Sequence, residues 1–163
     1  AQCLVGSEMC IRDRLSSDYR FEVRTSRASI NSNVGYNNSS SLRIRVDEAN
    51  SWPADYFISI HCNANVNPAI NGTEAYVYSL NSPAYYLGDA IVNEIVRRTG
   101  TKNNGIFARP SLYVLRYTTM TSVLVELAYI SNYEDSLKLT YDQYQFAYGI
   151  YVGLLNYLGL PQL

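Results

Sequence analysis

Apolar and polar positions change period several times along this chain of 163 residues, and each change marks an element. Tyr19-Arg20-Phe21-Glu22-Val23-Arg24 alternates with period two, which predicts a half-buried strand. Residues 31–41, NSNVGYNNSSS, read as a loop. Leu42, Val46 and Ala49 then fall at i, i+4 and i+7, the stripe of a short amphipathic helix. Tyr56-Phe57-Ile58-Ser59-Ile60 is almost continuously apolar, as in a strand covered on both faces. Thr73 to Ser79, TEAYVYS, is rich in strand formers. Ser82-Pro83 opens a helix with a cap residue and a proline at its first position, Leu87, Ile91 and Ile95 form its stripe, and Gly100 stops it. Leu112 to Leu115 and Ser122 to Leu127 read as two further strands. Ser131 with Glu134, and Thr140 with Gln143, have capping-box spacing. The second pair opens a final helix with Tyr144, Ala147, Tyr151, Leu154 and Leu158 on one side, ended by Gly159 and Pro161.

Strands that alternate with helices predict an α/β fold, a three-layer sandwich with a mostly parallel central sheet flanked by helices. Residues 1–14, AQCLVGSEMCIRDR, show neither strand alternation nor a helical stripe and resemble translated adapter sequence. They are expected to form a non-native or disordered leader, with the domain proper over residues 15–163.

Composition narrows the function. With 47% apolar and 17% charged residues the chain is globular, and its length suits one domain. A net charge of −1 supplies no basic field for nucleic acid or anionic membrane. No apolar run approaches the roughly 20 residues that span a bilayer. Cys3, Cys10 and Cys62 are odd in number and lack CxxC spacing, so they support neither a disulfide framework nor a structural zinc site. Sixteen tyrosines against four phenylalanines predict many half-exposed rings, serving as surface filling or as platforms for sugars.

In sheets of this kind ligands bind beyond the carboxyl ends of the strands. His61, the single histidine, follows the YFISI run directly. It is either a hydrogen-bonded structural residue or a ligand. Glu126 interrupts the apolar run Val123-Leu124-Val125-Glu126-Leu127. On an edge strand it would face solvent; in a covered strand it would lose hydration at a cost of several kcal/mol unless compensated. Cys62 adjoins His61 but points to the other side of an extended chain, as a small buried hydrophobe or, less favourably placed, as a nucleophile.

Asp55-Tyr56-Phe57-Ile58-Ser59-Ile60-His61-Cys62-Asn63-Ala64 resembles the D-x-F-I-S-I-H-x-N-A strand of the zinc-dependent N-acetylmuramoyl-L-alanine amidases. Gly72-Thr73-Glu74-Ala75-Tyr76 is similar to the same family, as are Leu112-Tyr113-Val114-Leu115-Arg116 and the segment Thr119 to Asn132 with its V-E-x-x-x-I-S-N pattern. Phe21 to Arg27 resembles the family's second strand, and the likeness runs through residues 15–160 in the family's order.

The resemblance implies hydrolysis of the amide bond between N-acetylmuramic acid and L-alanine in peptidoglycan. It also implies zinc as cofactor, an extracellular or cell-wall location, and a catalytic domain acting as a monomer. In the family zinc is held by a His in an early G-H-G-G segment, a Glu in the first helix and the His of S-I-H-x-N, while the Glu of V-E-x-x-x-I-S-N acts on the attacking water. Carried over, His61 is a metal ligand and Glu126 the catalytic carboxylate. A zinc-bound water near pKa 7 with a carboxylate beside it suits amide hydrolysis.

Asn63 and Asn65 are candidates for contacts to the muramoyl or peptide part, or simply shape the turn. Arg116, and less so Arg109, are candidates for a peptide carboxylate. Glu74 reads by default as part of a solvated strand face. No G-H-G-G is present, so the chain reads as an amino-terminally truncated member, its first strand and first helix missing or replaced. It is expected to hold zinc weakly and to be inactive in this form. The competing expectations are a catalytically inactive peptidoglycan-binding or regulatory domain on the same fold, and a cysteine hydrolase using Cys62.

Overall fold

The computed structural model describes residues 2–27 and 34–163; of the expected loop over 31–41, residues 31–33 lie outside the described residues. Four strands form one sheet in the order β1-β4-β2-β3: β1 Tyr56–Asn63, β2 Thr73–Val77, β3 Asn103–Ala108 and β4 Thr121–Tyr129. β1 runs parallel to β4 and β2 parallel to β3, while β2 and β4 are antiparallel. Two of the three pairings are thus parallel, in a mixed sheet.

Helices cover both faces. On one side lie α1 Gln2–Ser16, α3 Pro83–Thr99 and α6 Gln143–Leu158; on the other lie α2 Asn38–Ser51 and the short α4 Tyr113–Tyr117. α5 Tyr133–Tyr141 follows β4. The main core joins Ala75 and Val77 of β2 and Val123, Val125 and Leu127 of β4 to Leu87, Ile91 and Ile95 of α3 and Phe146, Ile150 and Tyr151 of α6. A smaller core on the opposite face gathers Val46, Val114, Leu115 and Leu124. β4 sits between neighbours and is buried on both faces, which explains its nearly unbroken apolar run.

Several elements depart from the sequence pattern. Residues 21–25 are not a strand and have no ladder partner among the described residues, although Phe21 and Val23 pack on the main core. Leu112 to Leu115, read as a strand, instead opens α4; Val114 and Leu115 are adjacent and both buried, which a single turn of helix permits and a one-sided strand does not. The β3 strand went unread because NNGIFA is short, polar and broken by Gly105 at φ 89°. α2 begins at Asn38, inside the expected loop, because Asn37 and Ser40 form a reciprocal capping box.

The cap before α5 is Asn132, whose side chain accepts from the Asp135 N–H, not Ser131. Thr140 lies within α5, and α6 starts at Gln143 after Asp142. The expected leader contributes α1: Ile11 and Leu15, one turn apart, are buried in the main core. Two positions make too sparse a stripe to be read from the sequence. Beyond α1, Arg20 forms a bidentate pair with the buried Asp18, which also accepts from the Tyr151 hydroxyl at 2.9 Å and so ties this end of the chain to α6. The Arg20 hydrogen bonds hold the Asp18 carboxyl well below the usual range. Among the described residues no helix is long and apolar enough to cross a membrane.

α6 meets α3 at van der Waals closeness through Gly149 and Gly153. A Cβ at Gly153 would lie 2.5 Å from the Ile91 Cα and one at Gly149 would lie 2.9 Å from the Ile95 Cα. Both would press on backbone, which yields poorly. Gly153→Ala is therefore expected to lower the unfolding free energy by about 1–2 kcal/mol, overpacking outweighing the gain in helix propensity of roughly 1 kcal/mol. Urea denaturation of the two proteins measures it.

Candidate active site

Three titratable residues stand in one cross-strand row. His61 of β1 is the register partner of Glu126 of β4, and Glu126 is the partner of Glu74 of β2. Alternation places all three on the face of the smaller core. Their neighbours Ile60, Cys62, Val125, Leu127 and Ala75 pack on the main core behind. The row thus lies where β1 and β4 approach their carboxyl ends.

Glu126 is not on an edge. The strand that carries it is flanked on both sides, and its Oε2 is buried without a hydrogen-bond partner among the described residues. Burial, and secondarily the charge of Glu74 directly opposite, push its pKa from 4.5 up to about 7. Like charges facing each other across an antiparallel pair repel, and a proton on Glu126 relieves this.

Glu74 is the residue that sequence reasoning missed. Expected on a solvated face, it is 6% exposed and receives four donors. Oε1 accepts from the Tyr76 hydroxyl and from Asn63 Nδ2 at 3.0 Å; Oε2 accepts from Asn104 Nδ2 and the Tyr129 hydroxyl, each at 3.2 Å. Burial and Glu74 push the Tyr129 hydroxyl up to about 12 and raise Tyr76 further, so both remain donors. Asp135, also unread, is buried at the same end of these strands. Its Oδ2 takes the N–H groups of Gly72 at 2.8 Å and Tyr129 at 3.0 Å, fixing the start of β2 against the end of β4. Gly72 has φ 112°, and a Cβ there would lie 2.5 Å from the Lys102 carbonyl oxygen.

β1 runs two residues past His61, and its register against β4 shifts between His61 and Asn63, two steps of β1 facing three of β4. His61 is exposed to the cleft, with Ser59 Oγ 3.0 Å from Nε2. Desolvation by the surrounding protein, then the positive charges of Arg45 and Arg27, hold its pKa below 6.5. The neutral imidazole is the form that binds metal.

The other expected contacts divide. Asn63 gives its amide to Glu74 and takes the Ala64 N–H on Oδ1, so its polar atoms are engaged within the protein. Asn65 shapes the turn, accepting from the Asn67 N–H. Arg116 is exposed on α4, not at a strand end, with its guanidinium 5.7 Å from the Tyr117 ring centroid. Arg109 lies 5.3 Å from the ring centroid of Tyr76. Cys62 packs toward the main core, on the face away from His61, so β1 does not pair them.

The donor set does not fit a three-ligand zinc site. Among the described residues no three His, Cys, Asp or Glu side chains converge. His61 is the single histidine, and Glu74 is already committed to four donors.

Folded and unfolded chains differ in proton uptake at Glu126. Between about pH 4.5 and about 7 the folded chain keeps a proton that the unfolded chain has released, so this residue makes stability fall as pH rises through that window. Glu126→Gln is expected to lose that slope. Relative to the parent, the metal-free variant should gain stability progressively across the window in urea titrations.

The site can be set beside known proteins. The profile of the N-acetylmuramoyl-L-alanine amidase family matches residues 7–156. N-acetylmuramoyl-L-alanine amidase LytC of Bacillus subtilis is 37% identical over 121 residues, covering 72% of this chain and 24% of that protein. CwlM of Bacillus licheniformis, also an N-acetylmuramoyl-L-alanine amidase, is 31% identical over 140 residues, 85% of this chain and 51% of the relative. The chain thus spans about a quarter to a half of these curated relatives. The catalytic domain of CwlV from Bacillus (Paenibacillus) polymyxa superposes with a TM-score of 0.86 at 27% identity, over 98% of this chain and 85% of that one. AmiC2 of Nostoc punctiforme does so with 0.82 at 28% identity, over 97% and 83%. The fold, the row of His61, Glu126 and Glu74, and these matches together place the chain in the N-acetylmuramoyl-L-alanine amidase family.

Proposed function

We propose that the cleft over His61, Glu126 and Glu74 is built to hydrolyse the amide bond between N-acetylmuramic acid and L-alanine in peptidoglycan. One observation carries this reading: a carboxylate in a central strand, its inner oxygen unpartnered and its pKa near 7. Such a group takes a proton from an attacking water and returns it to the departing amide nitrogen with little penalty in either direction. Glu74 acts through Glu126, setting its proton affinity. Tyr76, Tyr129, Asn63 and Asn104 hold Glu74 in place. Arg116, exposed on α4, is proposed to meet a stem-peptide carboxylate; Asn63 meets substrate only by releasing Glu74 or the Ala64 N–H.

Amidases of this family are generally zinc-dependent. His61 is the imidazole donor this chain offers, and with no group of three donors among the described residues zinc is held more weakly than the roughly 10 kcal/mol of a full structural site. We therefore assign the chain weak zinc binding and little hydrolysis by itself. The same single donor favours a second reading, a peptidoglycan-binding domain that does not cleave. Peptidoglycan, outside the cytoplasm, is the partner in both, in keeping with a 35% identical relative in Bacillus anthracis described as a cell wall amidase.

The readings separate when purified peptidoglycan is incubated with the chain across a zinc titration and newly freed L-alanine amino groups are counted by mass spectrometry. The hydrolase reading expects release that rises with zinc and falls about 10²–10⁴-fold in Glu126→Gln. Saturable binding with no release at any zinc concentration establishes the second reading instead.

A further inference from the structure

Past the row of His61, Glu126 and Glu74, the same face of the sheet continues onto β3, the edge strand beside β2. Gly105, Ile106 and Phe107 of β3 are the register partners of Glu74, Ala75 and Tyr76. Ala75 lies in the main core and Ile106 packs against it, so Gly105 and Phe107 share the face of Glu74 and Tyr76. Beside Glu74 that face is open: Gly105 has no side chain, and a Cβ there would meet nothing within 4 Å. Two residues further on stand two rings, Tyr76 and Phe107, with centroids 6.3 Å apart. Phe107 is 40% exposed.

Tyr76 joins the row to this shelf. Its hydroxyl donates to Glu74, and the Arg109 guanidinium lies over its ring, 5.3 Å from the centroid. Arg109 follows β3 directly, and its backbone N–H donates to the Val77 carbonyl at 2.8 Å, which fixes its place at the end of the β2–β3 ladder. The side chain enters no ion pair among the described residues. A guanidinium held over a ring, with no carboxylate of its own, is prepared to receive one.

The distance from the row limits what can reach it. Two strand spacings of about 4.8 Å across the sheet and two residues of about 3.3 Å along it put Phe107 roughly 12 Å from Glu126. An extended peptide advances at most about 3.5 Å per residue, so a chain whose first residue sits at Glu126 has its third about 7 Å away. A long third side chain covers the remainder. In peptidoglycan stems the third residue is commonly a diamino acid. Diaminopimelate carries a carboxylate as well as an amine at the end of its side chain, whereas lysine carries the amine alone.

We infer that Tyr76, Phe107 and Arg109 form the subsite for the third stem residue and select diaminopimelate over lysine. The two rings pack along the alkyl part of the side chain, and Arg109 pairs with its terminal carboxylate. Lysine brings only a positive charge to Arg109 and is repelled. Arg109 thus reads a carboxylate other than the one assigned to Arg116. The inference rests on the proposed peptidoglycan substrate but concerns binding, so it is tested without turnover.

The probes are two N-acetylmuramoyl tripeptides, one ending in diaminopimelate and one in lysine, titrated calorimetrically into the full chain with a chelator present so that neither is cleaved. The diaminopimelate ligand is expected to bind about fivefold more tightly. Arg109→Gln should bring that ratio below about twofold without weakening the lysine ligand, which never used the guanidinium. Phe107→Ala should weaken both ligands and keep their ratio, since the ring meets the alkyl chain that both share. Equal affinities in the parent chain, a ratio that survives Arg109→Gln, or a Phe107→Ala chain that binds both as the parent does would each overturn the subsite and leave the proposed function standing. Binding of neither tripeptide overturns both.

Discussion

A carboxylate set into the middle of an apolar, doubly covered strand is the constraint around which this structure is arranged. Glu126 is carried by β4, the strand with neighbours on both edges and helices on both faces, where lost hydration is not recovered from any described partner. Directly opposite lies Glu74, and two unprotonated carboxylates in that geometry repel. The fold resolves the conflict asymmetrically. Glu74 receives four donors, while the buried Oε2 of Glu126 has none among the described residues and Glu126 holds its proton to about pH 7. A carboxyl group that titrates near neutrality suits acid–base chemistry at that pH.

The scaffold serves this row. Asp135 clamps the ends of β2 and β4 through two backbone N–H groups, and the Thr73 hydroxyl donates to the Leu127 carbonyl at 2.7 Å, so the antiparallel pairing that opposes the glutamates is fixed from one end. Just past the register shift between β1 and β4, Asn63 donates its amide to Glu74. Behind the sheet, the close contact of α6 with α3 through Gly149 and Gly153 supplies a rigid layer. The face that carries His61, Glu126 and Glu74 can then be polar because the opposite face holds the main core.

Much of this was legible in the sequence where one physical factor dominated. β1, β2, β4, α3 and α6 follow from apolar runs, stripes and caps, and Glu126 was conspicuous as a charge within SVLVEL. What escaped depended on partners distant in the chain. Glu74 looks solvated in TEAYV because its four donors come from Asn63, Tyr76, Asn104 and Tyr129, on three other segments and its own strand. Leu112 to Leu115 has strand composition but is pulled into a helical turn by adjacent buried side chains. Phe21 to Thr25 has the strand pattern without a neighbour to pair with among the described residues. The motifs that carry the family likeness lie largely on β1, β2 and β4, the strands whose apolar runs made them legible.

The central claim is that Glu126 is protonated near neutrality because of its place in the sheet. A pH titration of its side-chain carboxyl carbon by NMR, on metal-free protein and assigned with Glu126→Gln, tests it directly. A midpoint of about 7 is expected. A midpoint near 4.5, the ordinary value, would contradict it, and with it the role of Glu126 as the group that takes and returns the proton.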